Sequence, residues 1–274
     1  MVLLLKAQGV SSTTGLSKVS IVGHGMQTHT GVAARMFQVL ARESININVV
    51  TTSDIKISVL IDRAQCNLAV EAVHQGFGLD RVERQALQVG HAAVIRRNGS
   101  ASVPSAELTQ EIVDRLEGME SIVVSDVSAD TNQSRITLNS LPDDPGIAED
   151  VFTAISEGGV LVDVIVQNAA RDGKATITFT VPSEDVDRSM LLLREVLERY
   201  PGSALCSERR IGKLTIAGIG LRSHTDVGRR VFKCLADHQI NVQMISTSEI
   251  KLSIVIAASQ CEQASAMLRS EFGL

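Results

Sequence analysis

One stretch of this chain is written twice. Lys18 to Leu79 lies over Lys213 to Leu274 at a constant offset of 195 without a gap, and 25 of the 62 aligned pairs are identical. The identities include Gly23/Gly218, Gly25/Gly220, His29/His224, Phe37/Phe232, Asn46/Asn241, Ser53/Ser248, Lys56/Lys251 and Cys66/Cys261. A duplication this strong means that one supersecondary unit folds twice, and the architecture must be assembled from it.

Each copy reads in the same order. "KVSIVG" (18–23) alternates as a strand does, and "GVAARMFQVLARE" (31–43) puts Val32, Met36, Val39 and Leu40 on one helical stripe. Ile45, Ile47 and Val49 alternate, as do Ile55, Ile57, Val59 and Ile61, with Ser53-Asp54 as the corner between two strands. "AQCNLAVEAVHQGF" follows as a second helix. The order β-α-β-β-α is one strand short of a ferredoxin-like βαββαβ unit, which makes the fold class α+β with antiparallel sheets.

A more distant third copy lies between the two. "SRITLNS" (134–140) is a strand, "LPDDPG" (141–146) a loop, and "IAEDVFTAISEGG" (147–159) a helix with Phe152 at the position of Phe37 and Phe232. "VLVDVIVQN" and "KATITFTV" form a hairpin across "AARDG", and "SEDVDRSMLLLREVLERY" is a helix that Ser183 can cap. "ALCSER" (204–209) supplies its sixth strand. The last copy ends at its second helix, so its missing strand must come from elsewhere, and "SIVVSDVS" (121–128) is the natural donor. That inserts the middle module into the last one and predicts an intimate pair over 120–274. For the first copy, either 91–97 or 2–6 can complete the sheet. The expected domains are an unassigned or truncated lead (1–17), the first copy (18–97), a linker and helix (98–120), the middle copy (121–210) and the last copy (211–274).

Composition narrows the class of function. An apolar fraction of 44% supports packed cores, built from Val, Ile, Leu and Ala because the chain has six Phe, one Tyr and no Trp. The net charge of -5 is spread along the chain without a basic block, which argues against nucleic acid as a partner. No run approaches the ~20 apolar residues of a membrane span, so no membrane role is expected. Cys66, Cys206, Cys234 and Cys261 lack CxxC spacing and read as reduced residues in a cytoplasmic compartment. No Walker-type GxxxxGK[ST] occurs, and Gly23-His24-Gly25 and Gly218-Ile219-Gly220 read as strand-end turns. No catalytic triad, paired-carboxylate set or metal-ligand spacing is present. Neither catalytic residues nor a cofactor nor a metal is expected.

"KVSIVGHGMQTHTGVAARMF" with "TTSDIKISVLI", and "KLTIAGIGLRSHTDVGRRVF" with "STSEIKLSIVI", resemble the C-terminal ACT regulatory domains of aspartate kinase. The segment "ITLNSLPDDPGIAEDVFTAISEGGVLVDVIVQN" followed by "TITFTV" resembles the effector-binding ACT domain that precedes such a copy. The repetition is similar to cyanobacterial-type enzymes, in which four ACT domains follow the kinase domain. That family's kinase domain opens with a Lys-Phe-Gly-Gly-Thr-Ser type phosphate loop, and nothing like it occurs here. The resemblance therefore implies a regulatory module that does not phosphorylate aspartate alone, acts with a kinase domain, and forms homodimers through its ACT domains. It also implies sensing of lysine, threonine or both, with feedback inhibition of aspartate-family biosynthesis. The alternative is an oligomerisation module that binds no ligand.

An amino-acid effector is a zwitterion, and its pocket needs donors for the carboxylate and acceptors for the ammonium. A loop entering a helix N-terminus offers free N–H groups and the positive end of the dipole. In "DDPGIAED", Pro145 fixes the helix entry, Gly146 lets backbone approach a ligand, and Asp143 or Asp144 can pair with an ammonium. Gln167 and Asn168 can both donate and accept. The resemblance favours these residues together with Ile147 and Ala148. It also implies that Ser246, Thr247, Ser248 and Glu249 face a partner module's effector loop, although a β-corner bonded to its own backbone explains them equally. Weaker candidates in the first copy are Met26, His29, Gly31, Val32, Asn46, Thr51, Thr52, Ser53 and Asp54. Where the family commonly has His-Pro-Gly, the first copy has "HTG" and the last "HTD". Asp226 puts a carboxylate where an effector's own should sit, so the last copy is expected to pack rather than bind.

Overall fold

Alternating apolar residues make β1 (Leu16–Val22) a half-buried strand, with Val19 and Ile21 turned inward. The computed structural model describes residues 12–23, 30–53, 55–79, 123–219, 221, 225–248 and 250–274. Met26, His29, Asp54, Glu249, the linker at 98–120 and both strands proposed to complete the first copy lie outside these residues. The chain divides into two compact units: residues up to Phe77 with 136–207, and 78–135 with 208–274.

In the first unit, β1 runs antiparallel to β3 (Lys56–Asp62), from Leu16↔Asp62 to Val22↔Lys56. The other edge of β3 holds β2 (Val49–Ser53), with Val49 opposite Leu60. Helix α1 (Val32–Arg42) buries Ala34, Met36, Phe37 and Leu40, and α2 (Cys66–Gly76) buries Ala69 and Val73. The middle copy uses the C-terminal half of β4 (Val123–Pro142), α3 (Ile147–Glu157), β5 (Ile165–Arg171), β6 (Lys174–Pro182) and α4 (Val186–Leu197). The start of β7 (Ala204–Ile219) closes it, where Ser203 Oγ donates to the Ser140 carbonyl at 3.2 Å. The two copies join at their second strands: β2 and β5 are antiparallel, with Val50↔Gln167 and Thr51↔Val166 in register. Phe37 and Phe152 meet beneath this seam with ring centroids 5.2 Å apart, and Phe179 extends the stack. One hydrophobic core runs through both copies.

The middle copy therefore shares its compact unit with the first copy, where the sequence predicts intimacy with the last. Chain continuity decides who donates a strand, whereas edge pairing and helix-face packing decide who shares a core. Here the β2 and β5 edges satisfy one another's backbone groups.

The second unit holds the last copy. The rest of β7 pairs antiparallel with β9 (Lys251–Ala257), from Ile211↔Ala257 to Ala217↔Lys251, and β8 (Met244–Thr247) pairs with the far edge of β9. The N-terminal half of β4 lies beside β7, where Ser125 Oγ donates to the Ala217 carbonyl at 3.3 Å. The order β4-β7-β9-β8 is that of a βαββαβ sheet with β4 as its sixth element. Helices α5 (Thr225–Asp237) and α6 (Cys261–Phe272) cover one face, over a core that includes Val127, Leu214, Leu235, Ile254 and Leu268. Among the described residues, no helix is long and apolar enough to cross a membrane.

Candidate effector clefts in the first unit

The pairing of β2 with β5 leaves a cleft at each end of the seam, each opening on a glycine-led helix N-terminus. Gly146 precedes α3 with φ 100°, a conformation that favours glycine, and no side chain caps the helix. The first-turn N–H groups of α3 thus face outward beside the loop Pro142–Pro145. Asn46, from the first copy, reaches across and donates through Nδ2 to Asp143 Oδ1 at 3.0 Å. Gln167 comes from β5, is only 6% exposed, and donates through Nε2 to the Ile47 carbonyl at 2.7 Å. Its Oε1 is buried and has no hydrogen-bond partner among the described residues. Leaving a buried acceptor unpaired costs about 1–3 kcal/mol, so the oxygen marks a place for a donor. Phe37, Ala41, Ile45 and Ile177 supply the apolar wall, and the cleft measures about 360 Å³ counted out to its mouth.

The second cleft is related to the first by the offset of 115 that carries Gly31 onto Gly146 and Phe37 onto Phe152. Thr30, Gly31 and the start of α1 face Val160, Val162 and Asp163 there. Its polar groups are already engaged: Thr52, at the position of Gln167, accepts from the Ile165 N–H at 2.8 Å and donates to the Asp163 carbonyl at 3.4 Å. A Cβ at Gly31 would meet Ser156 Oγ at 2.8 Å, whereas Gly146 has nothing within 4 Å. The two clefts share a backbone plan and differ in chemistry: Thr52 is engaged at the one beside Gly31, whereas the one at Gly146 has an unmatched acceptor.

The entry to α3 is braced from behind. Asp150, in its first turn, accepts from the Tyr200 hydroxyl and pairs with Arg199 at 2.9 Å. Burial, followed by the adjacent Asp150 carboxylate, pushes the Tyr200 hydroxyl up to about 12.

Of the residues singled out in the sequence, Asp143, Asp144, Pro145, Gly146, Ile147, Ala148 and Gln167 line the cleft at Gly146, and Asn46 joins them. Asn168 is exposed one residue beyond, paired with Thr176. Gly31, Thr52 and Ser53 line the other cleft, while Thr51 is exposed and Val32 half-buried. Ser246, Thr247 and Ser248 belong to the second unit and line neither cleft. There Ser248 Oγ accepts from the Lys251 N–H at 2.9 Å and from the Ile250 N–H at 3.3 Å, a corner bonded to its own backbone. Ala41, Ile47, Ser156 and Asp163 are cleft residues that sequence reasoning does not single out. Ile47 contributes its carbonyl, which no side-chain pattern reveals. Among the described residues, no group of three His, Cys, Asp or Glu side chains is placed to hold a metal ion.

A model of the ACT domain family matches residues 19–77 and 214–272, the first and last of these βαββαβ modules. The aspartate kinase of Stutzerimonas stutzeri is 37% identical over 162 residues, which are 59% of this chain and 39% of that one. The crystal structure of aspartate kinase from Synechocystis superposes with a TM-score of 0.74 at 28% identity, over 94% of this chain and 40% of that one. The regulatory subunit of aspartate kinase from Thermus thermophilus matches at 33% identity and a TM-score of 0.52, over 54% of this chain and 98% of that subunit. The chain belongs to the ACT-domain regulatory region of the aspartate kinase family. It spans about two fifths of the length of the curated relatives it matches.

Proposed function

We propose that the first unit is an allosteric sensor for lysine, threonine or both, which feeds back on an aspartate kinase domain in the biosynthesis of those amino acids. The observation that carries the reading is the buried, unpartnered Gln167 Oε1 beside the uncapped N-terminus of α3. An effector's carboxylate takes the N–H groups of Ile147 and Ala148, where the helix dipole favours negative charge. Its ammonium donates to Gln167 Oε1 and to Asp143, a charge-assisted pairing. Ligand is thereby gripped by both copies at once, since Asn46 and Ile47 hold Asp143 and Gln167 from the first copy. Binding shifts a kinase domain only by the difference in effector affinity between its two states, typically ~1–3 kcal/mol. No cofactor enters this reading.

The association of two copies in a cytoplasmic homodimer belongs to the same proposal. The last copy packs instead of sensing: Asp226 stands at the position of Gly31, in the first turn of α5, and its carboxylate is held by Arg229 at 2.7 Å. Calorimetry tests the sensing role. Lysine or threonine at millimolar concentration gives heat and raises the melting temperature of the chain, and Gln167→Leu abolishes both. Absence of heat and of any thermal shift with either amino acid in the unaltered chain overturns it in favour of a ligand-free structural module.

A further inference from the structure

The loop before α3 is gripped at both ends from one short turn. Ser140, three residues ahead of Asp143, sits at φ 59°, in the left-handed region that side chains rarely adopt, and its carbonyl accepts from Ser203 Oγ at 3.2 Å. Asp150, four residues beyond Gly146, accepts from the Tyr200 hydroxyl and pairs with Arg199 at 2.9 Å. The turn that follows α4 thus holds the chain before the loop and after it. It is itself fixed, since the Tyr200 N–H donates to the Leu197 carbonyl at 3.0 Å and the Ser203 N–H to the Tyr200 carbonyl at 3.2 Å. The Arg199 guanidinium lies 5.9 Å from the centroid of the Tyr200 ring, so the two side chains reach Asp150 as a unit. Neither of them lines the cleft.

The place of Asp150 decides what it would do without these partners. Its N–H closes the first turn of α3 on the Gly146 carbonyl at 2.9 Å, so the N–H groups left for a ligand are those of Ile147, Ala148 and Glu149. Its carboxylate stands within one helical turn of them, a rise of ~5.4 Å. A carboxylate there and a ligand's carboxylate draw on the same positive helix end, and they repel each other. Asp143, Asp144 and Glu149 line the cleft already, so one more free negative charge counts against an incoming carboxylate. We propose that Tyr200 and Arg199 are positioning residues of the cleft at Gly146: they screen the Asp150 carboxylate from the effector's own, and so set effector affinity without touching the effector. This rests on the reading of that cleft as an amino-acid site, and adds what sets its strength. The hydroxyl remains a donor across neutral and moderately alkaline pH, because burial and then Asp150 push the pKa of Tyr200 up to about 12. Signs separate screening from bracing. If the turn only braced α3, removing any of the three partners would loosen the loop and weaken binding. Screening makes the Asp150 charge the hazard: deleting it does no harm, and deleting its partners harms only while it is there.

Titration calorimetry of the full chain with lysine and with threonine, at about 0.05 M and about 0.5 M salt, tests this. Tyr200→Phe and Arg199→Gln each weaken binding about 2–5-fold at low salt, and by less at high salt. Asp150→Asn binds at least as tightly as the unaltered chain, and in its presence neither Tyr200→Phe nor Arg199→Gln has any further effect. The Arg199 side chain is 57% exposed, so Arg199→Gln keeps the fold and decides alone if Tyr200→Phe melts early. An Asp150→Asn chain that binds as weakly as Tyr200→Phe, at both salt concentrations, overturns screening and leaves a structural brace. Unchanged affinity in both Tyr200→Phe and Arg199→Gln overturns any role of the turn in binding. Each of these results still shows an effector bound to the unaltered chain, which keeps the reading of the cleft. Absence of heat in the unaltered chain is instead the failure of that reading, and this inference falls with it.

Discussion

Asn46 donates to the carboxylate of Asp143 at 3.0 Å, a bond between repeat copies 97 residues apart in the chain. It anchors the loop before α3 to the strand entry of the neighbouring module, so loop position and module pairing are one variable. Asn46→Ala removes the bond and leaves Asp143 with its remaining neighbours. The expected loss is about 0.5–1.5 kcal/mol of stability, with a double-mutant cycle against Asp143→Ala showing coupling of the same size. Additive losses in denaturant melts would show that the bond carries no energy of its own.

Gln167→Leu separates folding from sensing. The substitution removes an orphan acceptor together with the donor to the Ile47 carbonyl, and these oppose one another. Stability without effector is expected to change by less than about 1 kcal/mol. The thermal shift proposed for lysine or threonine is expected to disappear. A variant that melts normally and still responds to both amino acids shows that Gln167 is not a contact.

The glycines that open the two clefts differ in what surrounds them. At Gly146 a methyl group meets open space and Gly146→Ala costs only the left-handed conformation, about 1–2 kcal/mol. At Gly31 the same change also brings a Cβ to 2.8 Å from Ser156 Oγ, which must turn away, adding about 0.5–1.5 kcal/mol. Ser156→Ala clears that contact, leaving the next atom of residue 156 at 3.9 Å, and restores most of the added cost. Chemical denaturation of the three variants measures each part.

Modules and their elements are legible in the sequence because alternation and helical stripes are local, and because a gapless repeat confirms every element twice. The start of β4 lies beside β7, at the place in the sheet that a βαββα unit leaves for one more strand. What is not legible is the seam. All three second strands are short, and nothing in "VVTTS", "IVQN" or "MIST" says that the first two pair while the third is the last strand of its sheet among the described residues. For the same reason Asp143 to Ala148 and Gln167 come together as their module's own geometry requires, whereas their opposite wall is Asn46 and Ile47, from a different part of the chain than Ser246. Pairing is decided by packing at Phe37 and Phe152, a surface that Phe232 shares in sequence and not in burial.

Tyr200 reports on the brace behind α3, and it is the chain's single tyrosine in a sequence without tryptophan, so phenolate absorbance titrates one group. Burial first, then the hydrogen bond to Asp150 and the charge of that carboxylate, raise its pKa from 10.0 to about 12. A proton held more tightly in the folded state stabilises it fully below the unfolded pKa near 10, and this contribution fades as pH rises through 12. The absorbance midpoint of the native chain is therefore expected near 12. Asp150→Asn removes the charge and weakens the acceptor while burial persists, so its midpoint falls part of the way toward 10. Melting temperature should decline between pH 10 and 12 in the unaltered chain, and less steeply in Asp150→Asn. A native midpoint at 10 would mean that the hydroxyl does not hold Asp150 in solution, and that the first turn of α3 is positioned by Arg199 alone.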